Sequence, residues 1–103
     1  MKATVFMEPG KVEVQEIEKP TLKKPTDAVI KVLRACVCGS DLWFFRGISE
    51  HDHGSAVGHE AIGIVEEVGS DVHNVSVGDF VIVPFTHGCG HCPACLAGFD
   101  GDC

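Results

Sequence analysis

Apolar and polar positions alternate over two short stretches at the start of the chain. Lys2 to Met7 and Lys11 to Glu18 predict two strands, and in the second Val12 and Val14 alternate with Glu13 and Gln15, the two-residue period of a half-covered strand. Glu8-Pro9-Gly10 predicts the turn between them. Residues 19–27 carry two prolines among polar residues and predict a loop. Ala28 to Val37, rich in Val, Ile and Leu with Lys31 and Arg34 interrupting, predicts a third strand ended by Cys38-Gly39. Ser40-Asp41 can cap a short helix through Arg46, because a side-chain oxygen there would satisfy free N–H groups. Gly47 to Gly58 predicts a long polar loop. Glu60 to Val68 predicts a strand whose internal Gly63 points to a bulge or a close backbone approach. Val75 to Gly78 leads into Asp79, and Phe80 to Val83 predicts a short strand that Pro84 ends. Beyond Phe85 the periodicity fades. Short strands at regular spacing, with no repeat, low-complexity segment or linker, predict a mainly β fold, a small barrel or sandwich.

Size and charge narrow the classes of function. With 103 residues the chain can form one domain, which at this length hides roughly two thirds of its unfolded surface. A net charge of −7 argues against nucleic acid, which needs clustered Lys and Arg. Lys19, Lys23 and Lys24, broken by Pro20 and Pro25, read as a solvated loop. Glu8, Pro9 and Gly10 cut short any secretory apolar run, and no stretch approaches the roughly 20 apolar residues of a membrane span. Six cysteines without a secretory signal predict a reducing, cytoplasmic setting, in which clustered cysteines bind metal more often than they pair.

Four of the six cluster at the end of the chain. Cys89, Cys92 and Cys95 are each three positions apart, and Cys103 follows after seven intervening residues. Structural zinc takes four thiolate or imidazole ligands in a closed tetrahedron. Gly90 and Gly98 permit the tight turns such convergence needs, and a loop so poor in apolar side chains would draw its order from the metal. Two disulfides or four free thiols are the alternative, though closely spaced cysteines are hard to pair without strain. An iron–sulfur cluster would use a shorter last gap followed by proline. His87 and His91 are then loop residues, not ligands.

A second group is less conspicuous. Cys38, in Cys38-Gly39-Ser40-Asp41, closes one strand, and His59-Glu60 opens another. A lone Cys with a distant His is weak evidence, since Cys is common in cores. Asp41, however, could accept the far ring N–H of His59, as carboxylates do when they orient a metal-bound imidazole. Ser40 would add a hydroxyl able to pass a proton, and Glu60 a neighbouring carboxylate.

Cys38-Gly39-Ser40-Asp41, Gly58-His59-Glu60, the Val77-Gly78-Asp79 turn and the cysteine lobe together resemble the zinc-dependent alcohol dehydrogenases of the medium-chain dehydrogenase/reductase superfamily. The resemblance covers nearly the whole chain. It implies a GroES-like, partly open β-barrel of the catalytic domain, with residues 1–84 as barrel portion and 85–103 as zinc lobe. By position, Cys38 and His59 resemble catalytic zinc ligands, Glu60 the carboxylate that can move onto the metal, Ser40 the relay hydroxyl and Asp41 the partner of His59. Cys89, Cys92, Cys95 and Cys103 resemble the structural zinc ligands. The implied reaction interconverts an alcohol with an aldehyde or ketone by hydride transfer to NAD or NADP, in a protein that acts on small molecules and forms homo-oligomers. A non-catalytic zinc module or a co-chaperonin-like barrel would not need Cys38, Ser40, Asp41, His59 and Glu60 together.

The chain departs from that pattern at three points. Trp43 stands where many members place a histidine, and with Phe44 and Phe45 it could line a substrate pocket or pack the core. A catalytic zinc takes three protein ligands, and the third is expected beyond Cys103. No Gly-x-Gly-x-x-Gly turn joins a strand to a helix, so the chain is expected to be a portion of a longer enzyme, inactive alone. Cys36, two residues before Cys38 and on the same strand face, could compete for metal but is expected to be a buried side chain. His51 and His53 are expected to lie in solvent, with the active-site mouth as the alternative, and His73 to lie in solvent.

Overall fold

The computed structural model describes all 103 residues. Strands β1 (Lys2–Glu8) and β2 (Lys11–Glu16) form an antiparallel hairpin with Thr4 opposite Val14 and Phe6 opposite Val12. The hairpin is as predicted, although β2 stops two residues before Glu18. Its other edge holds a finding that the polarity of residues 47–58 concealed. The end of that predicted loop runs beside β1: Phe6 N–H donates to the Ser55 carbonyl at 2.9 Å, Val57 N–H to the Thr4 carbonyl at 2.9 Å and Gly54 N–H to the Phe6 carbonyl at 2.8 Å. Val5 and Phe6, between these two neighbours, are among the few buried side chains.

A second antiparallel sheet has the order β3 (Ala28–Ala35), β4 (Ala61–Val68), β5 (Phe80–Val83). Asp27 leads into β3, its carboxylate accepting the Lys23 and Lys24 N–H groups at 3.0 and 2.9 Å. β3 stops two residues before the predicted Val37, because Ala35 opposite Ala61 is its last ladder pair. Both readings of Gly63 hold. The β3–β4 register shifts between Val32 and Arg34, and a Cβ on Gly63 would lie 2.4 Å from the Lys31 carbonyl oxygen.

Helix α1 (Asp41–Phe45) corrects the predicted cap: Ser40 makes no side-chain capping bond, and Arg46 is the C-cap. The Asp41 carboxylate instead accepts the Cys38 N–H at 2.9 Å, tying the end of the β3 segment to the helix start. Helix α2 (Pro93–Leu96) begins on Cys92, whose sulfur accepts the Cys95 N–H, and a 3₁₀ turn follows at Asp100–Asp102.

The two sheets do not close on each other. Only six of 103 residues are buried, with Val5, Phe6, Val29 and Val65 as the apolar core. Accessible surface is 7660 Å², against about 5,600 Å² for a compact protein of this mass. Burial is therefore nearer half than the expected two thirds of the unfolded surface. Phe80, Ile82, Phe85 and Leu96 all face outward. The fold is a mainly β, partly open barrel, as expected, with less core than its length allows.

Candidate metal centres

Backbone turns gather the four-cysteine lobe. Gly90 and Gly98 adopt positive φ of 77° and 84°, the conformation expected of them. Cys89 N–H points at the Cys103 sulfur and Cys92 N–H at the Cys89 sulfur, both at 3.3 Å. All four sulfurs lie within 4.8 Å of one another. The six cysteines are free, and the Cys89–Cys95 sulfur separation is 4.0 Å. A disulfide needs about 2 Å, whereas a zinc–sulfur bond of about 2.3 Å places tetrahedral thiolates about 3.8 Å apart. The donor set and its spacing therefore fit zinc. Hydrogen bonds from the His91 and Cys92 backbone pull the Cys89 thiol down to about 6. Cys95 gains one such bond from Gly90, but the neighbouring Cys92, Cys103 and Cys89 sulfurs and burial outweigh it and push it up to about 11. His91 bonds the Cys89 carbonyl at 2.8 Å through Nδ1.

The second group forms where β3 ends, α1 begins and β4 is about to start. Ligand atoms of Cys38, His59 and Glu60 lie within 4.8 Å of one another. Asp41, 6% exposed, joins the two halves: Oδ2 accepts the Cys38 N–H at 2.9 Å, and Oδ1 lies 3.1 Å from His59 Nδ1. That contact assigns the ring proton to Nδ1 and turns Nε2 toward Ser40 Oγ, at 3.3 Å. Hydrogen bonds from the Ser40 side chain and backbone, then from His59, hold the Cys38 thiol below its usual range. The Cys38 contact, aided by the Asp41 charge, raises His59 despite its partial burial. One thiolate, one imidazole and one carboxylate fit zinc with a position to spare.

Two contacts here were not anticipated. Phe85 meets the His59 ring edge-on at 6.2 Å, and Cys36 Sγ donates to Glu60 Oε2 at 2.9 Å. Cys36 is exposed rather than buried, because the strand meant to bury it has already ended. Glu60 raises its thiol above the ordinary value, chiefly by that hydrogen bond. Trp43 is 57% exposed beside a shallow cavity of about 200 Å³ shared with Gly39 and Leu42. Phe44 packs on the core instead, edge-on to Phe6 at 5.4 Å. His53 and His73 lie in solvent as expected, and His51, though exposed, stacks on Phe44 at 4.4 Å.

Two open antiparallel sheets, a closed set of four thiolates and a mixed Cys–His–carboxylate group define a small β protein with two zinc-competent sites. Residues 24–103 match the alcohol dehydrogenase GroES-like domain. The chain belongs to this family, among the zinc-type alcohol dehydrogenases of the medium-chain fold. Zinc-type alcohol dehydrogenase B of Aspergillus flavus is 45% identical over the whole chain, which spans 24% of that protein. The alcohol dehydrogenase TADH from Thermus sp. ATN1 superposes with a TM-score of 0.93 at 40% identity, over the whole of this chain and 30% of that one. CAD from Helicobacter pylori, complexed with NADP(H), gives 0.80 at 27% identity over 99% of this chain and 30% of that one. The chain thus spans about a quarter to a third of the length of these relatives.

Proposed function

We propose that the chain is the zinc-binding part of a dehydrogenase catalytic domain that interconverts a small alcohol with an aldehyde or ketone. The observation that carries this is the shared carboxylate of Asp41, which bonds both the Cys38 backbone and the His59 ring. A structural zinc module or a co-chaperonin barrel has no use for that arrangement. In this reading residues 1–84 are the barrel portion and 85–103 a structural lobe. Cys89, Cys92, Cys95 and Cys103 hold one zinc, and Cys38, His59 and Glu60 hold another.

Zinc at the second site supplies a Lewis acid that lowers the pKa of a bound alcohol. The chain's own residues do the rest. Asp41 keeps the His59 proton on Nδ1, so Nε2 remains a ligand lone pair. Ser40 Oγ sits beside that nitrogen and takes the proton of a substrate hydroxyl. Trp43, in place of a histidine, ends the relay there, so the proton leaves Ser40 directly for water. Hydride passes to NAD or NADP, for which these residues offer no seat: both sheets are wholly antiparallel, without a parallel strand–glycine turn–helix unit. We place the protein in a reducing, cytoplasmic setting because clustered cysteines there bind metal more often than they pair, and in a homo-oligomer as a longer enzyme.

Metal stoichiometry of the pure chain tests the reading. One tightly held zinc should depend on Cys89, and a weaker second zinc on Cys38. Loss of both metals on Cys89→Ser alone, with the sheets intact, would sink the two-site assignment. Alcohol-dependent reduction of NAD(P) by residues 1–103 should be absent, and a measurable rate would refute that part.

A further inference from the structure

We infer that Cys36 is a positioning residue that holds the Glu60 carboxylate toward Cys38 and His59; this rests on the metal-site reading above. The β3–β4 ladder ends with Ala35 opposite Ala61. One step further in the same register sets residue 36 opposite residue 60. Directly opposed residues keep their Cβ atoms about 5 Å apart, within reach of a short donor and a longer acceptor. The bond from Cys36 Sγ to Glu60 Oε2, at 2.9 Å, is thus a product of register. It occupies one of the roughly four lone-pair sites of a carboxylate and leaves the others for a metal.

The surroundings show what the tether prevents. Cys36 and Glu60 both line an open, largely apolar cavity of about 430 Å³, together with Arg34, Ile82, Val83 and Phe85. Nothing else in the structure restrains the Glu60 carboxylate: it forms no salt bridge and has no other side-chain hydrogen bond. Released from Cys36, the side chain can swing into that cavity and away from Cys38 and His59. The thiol contributes no ligand atom, since its sulfur lies outside the compact Cys38–His59–Glu60 set. It acts through Glu60.

Cobalt(II) titration of the full chain, followed by visible absorption, tests this. The four-thiolate lobe fills first, and far-ultraviolet circular dichroism reports the folding of the two sheets in every variant. Cys36→Ala should weaken the second cobalt about tenfold, as loss of a supporting partner commonly does. Cys36→Ser, which restores a donor, should recover part of that loss. On a Glu60→Ala background, Cys36→Ala should change nothing. Equal second-site affinity in wild type and Cys36→Ala overturns the inference, as does an equal loss on the Glu60→Ala background. So does a thiolate-to-cobalt band at the second site that vanishes with Cys36, which would make it a ligand. Retention of the second cobalt in Cys38→Ser would instead overturn the metal-site reading, and no second cobalt in wild type would overturn both.

Discussion

Asp41 does its work through two oxygens pointed at different segments. Removing the carboxylate frees the His59 ring to rotate and leaves the Cys38 N–H without its acceptor. Asp41→Ala should therefore weaken zinc at the Cys38–His59–Glu60 group by about 10- to 100-fold, while the four-cysteine lobe keeps its affinity. Competition with a chromophoric chelator measures both sites, and an unchanged weaker constant would show that Asp41 orients nothing. The same site has a predictable response to acid. A metal can bind His59 only after displacing a proton from it. Cys38 and Asp41 favour the charged ring, so His59 keeps its proton to a higher pH than the ordinary 6.5. On acidification, protons return to both His59 and the Cys38 thiolate, so zinc affinity at this site should begin to fall above pH 6.5. A plot of its dissociation constant against pH whose acid limb begins below 6.5 would contradict the raised value. Both arguments turn on residues legible in the chain, because Asp41 follows Cys38 by three positions and a Cys–Gly–Ser–Asp run brings donor and acceptor together locally. The Cys36–Glu60 bond was not legible, since it depends on where β3 ends and on its register with β4.

Strands announce themselves by alternation, but their ends are decided by partners. β5, bounded by Asp79 and Pro84, could be read without a neighbour. β3 could not: its apolar run continues to Val37, yet pairing with β4 ceases at Ala35. The segment 54–57 escaped notice for the converse reason, since its Gly and Ser residues carry no strand signal and its order comes from hydrogen bonds to β1. Gly63 is the element-scale feature that the sequence marked most clearly. An added Cβ would press on the Lys31 carbonyl at 2.4 Å and on Ile30 Cγ2 at 2.6 Å, so β3 must give way. Gly63→Ala should therefore destabilise the chain by about 1–3 kcal/mol, the usual range for overpacking. Denaturant unfolding followed by far-ultraviolet circular dichroism measures this, and a midpoint equal to wild type would mean that the bulge relaxes without cost.

At the scale of the whole molecule, order comes from two different sources. Residues 1–84 hold together through sheet pairing and a small apolar core around Val5, Phe6, Val29 and Val65. The lobe has no such core: none of its residues is buried, and Phe85, Leu96 and Phe99 face solvent. Its short helix α2 and 3₁₀ turn span four and three residues, far below the length at which a helix stands alone in water. On the proposed reading, what fixes it is the convergence of four thiolates on one zinc ion. Structural zinc contributes on the order of 10–16 kcal/mol in small zinc domains, ample for a segment of this size. Removing zinc with a strong chelator should therefore melt the lobe while the two sheets persist. In hydrogen exchange, amides such as Leu96 and Ala97, bonded within α2 at 2.9 and 3.1 Å, should lose protection. Amides of the β3–β4 ladder should keep theirs. Re-adding zinc should restore the lobe, and Cys103→Ser should mimic chelation. If α2 amides stay protected without metal, the lobe is ordered by its backbone turns alone, and the sulfur cluster is a consequence of the fold rather than its cause.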